Sequence, residues 1–106
     1  MIFDHRAFTE AIADGRIEWR KHVLARLLER GISQACVMDC ACAGVCIQAY
    51  PDDMPLPSAL VFAMVDNEPL HVVVAFDEEA KKTYIITAYK PSSDIFETDF
   101  MTRKKK

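Results

Sequence analysis

The chain has 106 residues, a length at which one hydrophobic core can bury most of the apolar side chains, so we expect a single domain. Apolar residues make up 51% of the sequence and charged residues 27%, a balance that excludes a disordered chain. The formal net charge of -3 disfavours nonspecific nucleic-acid binding driven by overall charge. We place the domain at residues 1–103 and expect the lysines at 104–106 to form a disordered basic tail.

The sequence shows no export or membrane signal. No apolar region follows a positively charged start, and no run approaches about 18 uninterrupted apolar residues. The four cysteines lie close together, between Cys36 and Cys46, instead of being spread along the chain as disulfide staples. We therefore expect reduced thiols in a cytoplasmic protein that does not bind membranes.

Helical patterns fill the first part of the chain. A short first helix can be capped by Asp4 and stopped by Asp14-Gly15, with apolar residues at helical spacing at Phe8, Ala11 and Ile12. A second helix is predicted over residues 17–30. Its apolar residues fall on one arc at about 100° per residue, and they are Ile17, Val23, Leu24, Leu27 and Leu28.

A helix-stop-helix joint follows the second helix. Gly31 stands where a left-handed C-cap belongs, and Ser33 is a suitable N-cap for a third helix that runs to Ala43. Gly44 ends that helix. The joint predicts two separate helices in place of one long one.

Strand-like segments dominate the rest of the chain. The predicted strands, rich in β-branched and aromatic residues, cover Val45–Tyr50 and residues 59–65, 70–76 and 83–89. Three prolines make residues 51–57 a surface loop, and the later connections are short enough for hairpin turns. We therefore predict an α+β fold with two or three N-terminal helices packed on a four-stranded antiparallel sheet.

The second predicted helix carries a row of potential cations. His22, Arg26 and Arg30 recur every four residues and so line one side of the helix. Such a row could bind phosphates, or place an imidazole for proton transfer beside guanidinium groups that stabilise a phosphorane. The alternative is structural: His22 packs at the core edge while the arginines pair with Glu29 or nearby acids.

His71 is the second candidate for chemistry, since it interrupts an aliphatic strand. A structural histidine with a satisfied ring is the alternative. Thr87 and Tyr89 share one face of the last strand because side chains two apart point the same way. If the hairpin register pairs His71 with Tyr89, the three polar groups line one face beside the basic helix; a slip of one residue breaks the cluster.

The cysteine spacing does not match a zinc site. Cys36, Cys40, Cys42 and Cys46 lack the paired spacing of a zinc ribbon, and a helix would point Cys42 away from Cys40. We interpret the four as buried small hydrophobes, with a metal site as the alternative. Gly-rich phosphate loops and the short motifs of zinc proteases and serine hydrolases are also missing, so we predict neither metal nor cofactor.

The ordered blocks of the sequence resemble the bacterial family known as domain of unknown function 4258, over residues 19–103. The matching blocks are Trp19-x2-His22-x3-Arg26-x3-Arg30-Gly31-Ile32-Ser33, the segment from Gly44 to Tyr50, Pro57-Ser58-x-Leu60-Val61, Pro69-Leu70-His71-Val72-Val73 and Ile85-Ile86-Thr87-x-Tyr89-x-Pro91.

This family is similar to the RelE and BrnT-like toxin superfamily, whose small helix-then-sheet folds include enzymes that cleave messenger RNA. The resemblance implies a RelE-like fold, RNA or the ribosome as target, and a zinc-ribbon antitoxin as partner. It also implies a metal-independent endoribonuclease. On this resemblance the catalytic residues are His22, His71, Tyr89 and Arg30, and the RNA-binding residues are Arg26, Thr87 and Arg103.

A noncatalytic protein-binding module with a toxin-like fold is the other interpretation of the sequence. It is favoured by the acidic charge balance and by the lack of a decisive catalytic triad. A third interpretation, a metal-binding protein, rests on the four cysteines alone.

Overall fold

The computed structural model of the chain describes residues 5–50, 52, 54 and 56–91. The elements are α1 (His5–Ala13), β1 (Ile17–Trp19), α2 (Lys21–Arg30), α3 (Gln34–Ala43), β2 (Val45–Tyr50), β3 (Ser58–Val65), β4 (Glu68–Asp77) and β5 (Lys82–Tyr89). The predicted cap Asp4 and the predicted tail at 104–106 lie outside the described residues, as does the side chain of Phe8.

The strands form one five-stranded sheet in the order β1-β5-β4-β3-β2. Strands β2 to β5 are an antiparallel meander, as predicted, whereas β1 pairs with β5 in parallel. The α+β class is confirmed. The prediction of a four-stranded, purely antiparallel sheet is wrong because it lacks β1.

Strand β1 replaces the first turn of the predicted second helix. Ile17–Trp19 pairs with residues 83–85 of β5, and Arg16 O accepts a 2.9 Å hydrogen bond from Thr83 N. Ile and Trp suit a strand, and Arg20 stays extended at φ -75° and ψ 148° before the helix begins. Sheet pairing with a distant strand therefore overrides the local helical periodicity, and the helix starts at Lys21.

The joint between α2 and α3 forms as predicted. Gly31 adopts a left-handed conformation at φ 67°, and its N–H donates to the carbonyls of Leu27 and Leu28. Ser33 caps α3, because its Oγ accepts a 3.1 Å hydrogen bond from Cys36 N. These two caps end one helix and start the next within a few residues.

The three helices share one face of the sheet, which we call the helical face. Its single core joins all three helices to the sheet, and its fully buried members include Ala11, Val37, Cys40, Ala41, Ala59, Val61, Val72, Val74 and Ile85. The alternating residues point the other way and form the second face, which includes Leu60, Phe62, His71, Val73, Tyr84, Ile86, Thr87 and Tyr89. The consecutive residues Ile86 and Thr87 share this face because the β4–β5 register shifts between Val73 and Val74. In the part of the chain that the structure describes, none of the helices has the length and apolar character to cross a membrane.

Candidate functional site

His71 and Tyr89 lie side by side on the second face of the sheet. The β4–β5 register pairs them directly, which is the arrangement the predicted cluster requires. His71 Nδ1 lies 3.3 Å from the Tyr89 hydroxyl, and the two ring centroids are 5.4 Å apart. An imidazole and a phenol are therefore in hydrogen-bond contact, and the tautomer of the ring decides which group donates.

The His71 ring is enclosed. Its side chain is 0% exposed, and the Phe62 ring meets it edge-on with centroids 5.7 Å apart. Tyr89 is half-buried. Because His71 has no exposed surface, it can act on a bound molecule only through a neighbour such as Tyr89.

Arg30, the last residue of α2, links this helix to β5, the strand that carries Tyr89. Its Nη1 donates to Ala88 O at 2.8 Å and to Thr87 Oγ1 at 3.3 Å. The structure thus forms two contacting pairs of predicted site residues, Arg30 with Thr87 and His71 with Tyr89, and both pairs meet on β5. We call these four residues the β5 cluster. Since Arg30 is exposed, the cluster has a cation that an anionic ligand can reach.

The rest of the predicted row stays apart from this cluster. Arg26 is exposed and pairs with Glu29 at 3.5 Å. This ion pair is the structural alternative to phosphate binding. His22 is also exposed, so packing at the core edge is wrong for it, and within the described residues it makes no hydrogen bond or ion pair. Arg30 bonds to β5 and not to Glu29. Arg103 lies outside the described residues.

We expect Arg30 to contribute more to stability than Arg26. Replacing Arg30 by Ala removes the charged hydrogen bond to Ala88 O and should lower the free energy of unfolding by about 1–2 kcal/mol. Arg26→Ala, the matched control on the same helix, removes only an exposed ion pair and should cost less than about 0.5 kcal/mol. Urea denaturation of both variants measures the difference, and equal losses would contradict a bracing role for Arg30.

The four cysteines do not share one environment. Cys40 is buried, Cys36 is intermediate, and Cys42 and Cys46 are exposed, all four with free thiols. The prediction of buried small hydrophobes is confirmed for Cys40 and wrong for Cys42 and Cys46, because the helix turns Cys42 away from the core and β2 lies at the sheet edge. Among the described residues, no group of three or more His, Cys, Asp or Glu side chains converges as metal ligands.

Three of the thiols, those of Cys40, Cys42 and Cys46, resist ionisation. Burial raises the pKa of Cys40 from its ordinary 9.0 to about 12. Burial also raises the pKa of Cys42, with a further contribution from the Asp39 carboxylate, and it raises the pKa of Cys46. Since the thiolate is the nucleophile and the metal ligand, these three cysteines are poorly suited to either role at neutral pH.

The raised pKa of Cys40 predicts a loss of stability in alkali. The folded state disfavours the thiolate, so the stabilising contribution of the neutral thiol is complete below about pH 9 and is lost as the pH rises towards 12. We expect the wild type to lose more stability between pH 8 and pH 10.5 than Cys40→Ala does, measured by urea denaturation at both values. Parallel losses in the two proteins would assign the alkaline effect to other groups.

Two residues on the second face were missed by the sequence analysis. The Arg20 guanidinium lies 5.6 Å from the centroid of the Tyr84 ring, and both residues line a cavity of about 360 Å³. Arg20 follows β1, and β1 pairs with β5 beside Tyr84. Without β1, nothing in the sequence places Arg20 near Tyr84.

The fold and the β5 cluster define a small α+β domain with helices on one face of a mixed sheet and a polar cluster on the other. The chain belongs to the family described as Domain of unknown function (DUF4258), whose family model matches residues 19–90. That range contains all four members of the β5 cluster. Comparisons with curated proteins and with solved structures give no significant match.

Proposed function

We propose that the protein is a metal-independent endoribonuclease of the toxin type, with the β5 cluster as its active site. The observation that carries the proposal is the contact between His71 Nδ1 and the Tyr89 hydroxyl at 3.3 Å, on the strand that Arg30 also contacts. A proton-transfer pair beside a guanidinium is what cleavage of an RNA phosphodiester without metal requires.

Cleavage begins when the ribose 2′-oxygen attacks the adjacent phosphorus. The Tyr89 oxygen accepts the 2′-hydroxyl proton while Tyr89 passes its own proton to His71 Nδ1, a step that requires this nitrogen to be unprotonated. The new P–O2′ bond forms as the P–O5′ bond breaks. The proton then returns from His71 through Tyr89 to the departing 5′-oxygen, leaving a 2′,3′-cyclic phosphate and a 5′-hydroxyl.

Arg30 is the electrostatic component of this proposal. It is exposed, so its guanidinium can bind the scissile phosphate and stabilise the extra negative charge of the phosphorane. Its hydrogen bond to Ala88 O holds the guanidinium against Thr87, two residues before Tyr89 on β5. Thr87 positions Arg30 through its hydroxyl oxygen.

The burial of His71 changes the role that the resemblance implies for it. A fully enclosed ring cannot touch the ribose, so His71 acts through Tyr89 as a positioning and proton-holding residue. His22 has no role here, because no contact of the described residues links it to the cluster. Arg26 could bind a neighbouring phosphate only by exchanging its Glu29 partner for it.

The toxin assignment, including a RelE-like fold and a zinc-ribbon antitoxin as partner, is supported by the resemblance of the family to RelE and BrnT-like toxins. A target in RNA or on the ribosome places the protein in the cytoplasm, where its four thiols would remain reduced.

The proposal is tested by incubating the purified protein with total RNA and with translating ribosomes in excess EDTA. We expect RNA fragments with 2′,3′-cyclic phosphate ends and no cleavage of DNA of the same sequence, because DNA lacks the attacking hydroxyl. RNA left intact by folded protein, both free and on ribosomes, would contradict the proposal.

A noncatalytic protein-binding module is the second candidate, and the complete burial of His71 favours it. A histidine enclosed by Phe62 and bonded to Tyr89 also fits a purely structural role. Expression in a bacterial host discriminates the two functions. Growth arrest that a co-expressed zinc-ribbon protein relieves supports the enzyme, whereas harmless high expression of folded protein supports the module.

A further inference from the structure

The second face of the sheet contains a cavity that the β5 cluster does not use. Its volume of about 360 Å³ lies within the roughly 300–1,000 Å³ typical of small-molecule pockets. Its apolar wall includes Val73 and Ala75 from β4 and Ile86 from β5. The cavity is therefore a mostly apolar recess.

An aromatic ring flanked by cations forms the polar side of the cavity. Tyr84 lines it, and the Arg20 guanidinium and the Lys82 ammonium each lie 5.6 Å from the ring centroid. Lys82 pairs with Glu18 at 3.2 Å, so its charge is largely balanced. Arg20 is exposed and makes no ion pair within the described residues, which leaves one uncompensated positive charge at the rim.

The cavity adjoins the proposed active site. Val73 belongs to its wall and is the direct cross-strand partner of Thr87 in the β5 cluster. Tyr84 and Tyr89 lie on the same strand and both point to the second face. A ligand that extends along β5 can therefore occupy the cavity and reach Arg30 at the same time.

We propose that this cavity binds one unpaired nucleobase of a single-stranded RNA, stacked on Tyr84 with Arg20 against the base or its phosphate. Base stacking on an aromatic ring, with an adjacent arginine for the backbone, is the general mode of single-strand recognition. The inference rests on the proposed function, since it takes RNA as the substrate. The base in this cavity would belong to a nucleotide away from the bond that is cleaved.

The test measures binding separately from cleavage. The probe is a short fluorescent oligoribonucleotide of mixed sequence with 2′-O-methyl groups, which cannot be cleaved because the nucleophile is blocked. Fluorescence anisotropy gives its Kd for the wild type, for Tyr84→Leu and for Arg20→Gln. Arg6→Gln, which removes an exposed arginine charge from α1 on the helical face, is the matched control.

We expect Tyr84→Leu to weaken binding about tenfold or more, the effect typical of losing one stacked base. Arg20→Gln should weaken binding and reduce its salt dependence, while Arg6→Gln should bind like the wild type. Because Arg20 is exposed, its variant should fold even if Tyr84→Leu does not. Unchanged affinity in Arg20→Gln and in folded Tyr84→Leu, or no binding by the wild type, would overturn the inference.

The two proposals fail in different ways. Cleavage of RNA by the wild type, together with binding that ignores Arg20 and Tyr84, would refute the nucleobase site and leave the ribonuclease standing. Binding that depends on these residues in a protein that never cleaves RNA would refute the ribonuclease and retain the nucleobase site.

Discussion

Replacing Tyr89 by Phe is expected to slow RNA cleavage by at least about a hundredfold, the lower end of what one positioned proton-transfer group contributes. The substitution removes the hydroxyl that lies 3.3 Å from His71 Nδ1 and keeps the ring that packs on it. The fold should therefore survive, as judged by a cooperative thermal melt. The rate is measured on a single-stranded oligoribonucleotide under single-turnover conditions.

Two further variants make this result specific. Tyr50→Phe removes a hydroxyl from the edge strand β2, remote in the sheet order from β5, and should cleave like the wild type. His71→Asn keeps a polar atom near the Tyr89 hydroxyl but cannot store a proton, so it should lose activity as Tyr89→Phe does. Full activity in Tyr89→Phe would remove the pair from the mechanism.

Among the three glycines of the chain, Gly44 is the one at which substitution by alanine is expected to destabilise the fold most. A Cβ at this position would lie 2.5 Å from Cys40 O, 2.5 Å from Phe62 O and 2.7 Å from Val61 Cγ1. Two of these atoms are backbone, so either the end of α3 or strand β3 must move. We expect a loss of about 3 kcal/mol or more, at the upper end for overpacking a core.

Gly31→Ala is the control that separates space from backbone conformation. Gly44 has an ordinary φ of -78°, whereas Gly31 adopts φ 67° with nothing within 4 Å of an added Cβ. Gly31→Ala should therefore cost only the roughly 1–2 kcal/mol of a left-handed alanine. Urea denaturation ranks the two variants, and a Gly31→Ala protein less stable than Gly44→Ala would refute the crowding at Gly44.

Local signals made most of the fold predictable. Gly31 and Ser33 mark a helix end and a helix start by their own backbone and side-chain chemistry, and both act as predicted. The β3–β4 hairpin likewise turns at Asp66 and Asn67, two residue types that tolerate the positive φ found there. Strand β1 escaped prediction because its partner β5 is distant in sequence and runs parallel to it.

The candidate site could be predicted only on the condition that the β4–β5 hairpin has the correct register. Strand alternation placed Thr87 and Tyr89 on one face, and the correct register added His71. Helical spacing could not show that Arg30 reaches β5 while Arg26 pairs with Glu29, because this depends on how α2 packs against β5. The burial of His71 is likewise a property of tertiary packing and not of its strand.

The central claim is tested most directly by end-group analysis of RNA incubated with wild-type protein and with Tyr89→Phe in excess EDTA. The account predicts fragments ending in 2′,3′-cyclic phosphate and 5′-hydroxyl from the wild type and almost none from the variant. Fragments in equal amounts from both proteins, or intact RNA and intact ribosome-bound messages with folded wild type, would contradict it.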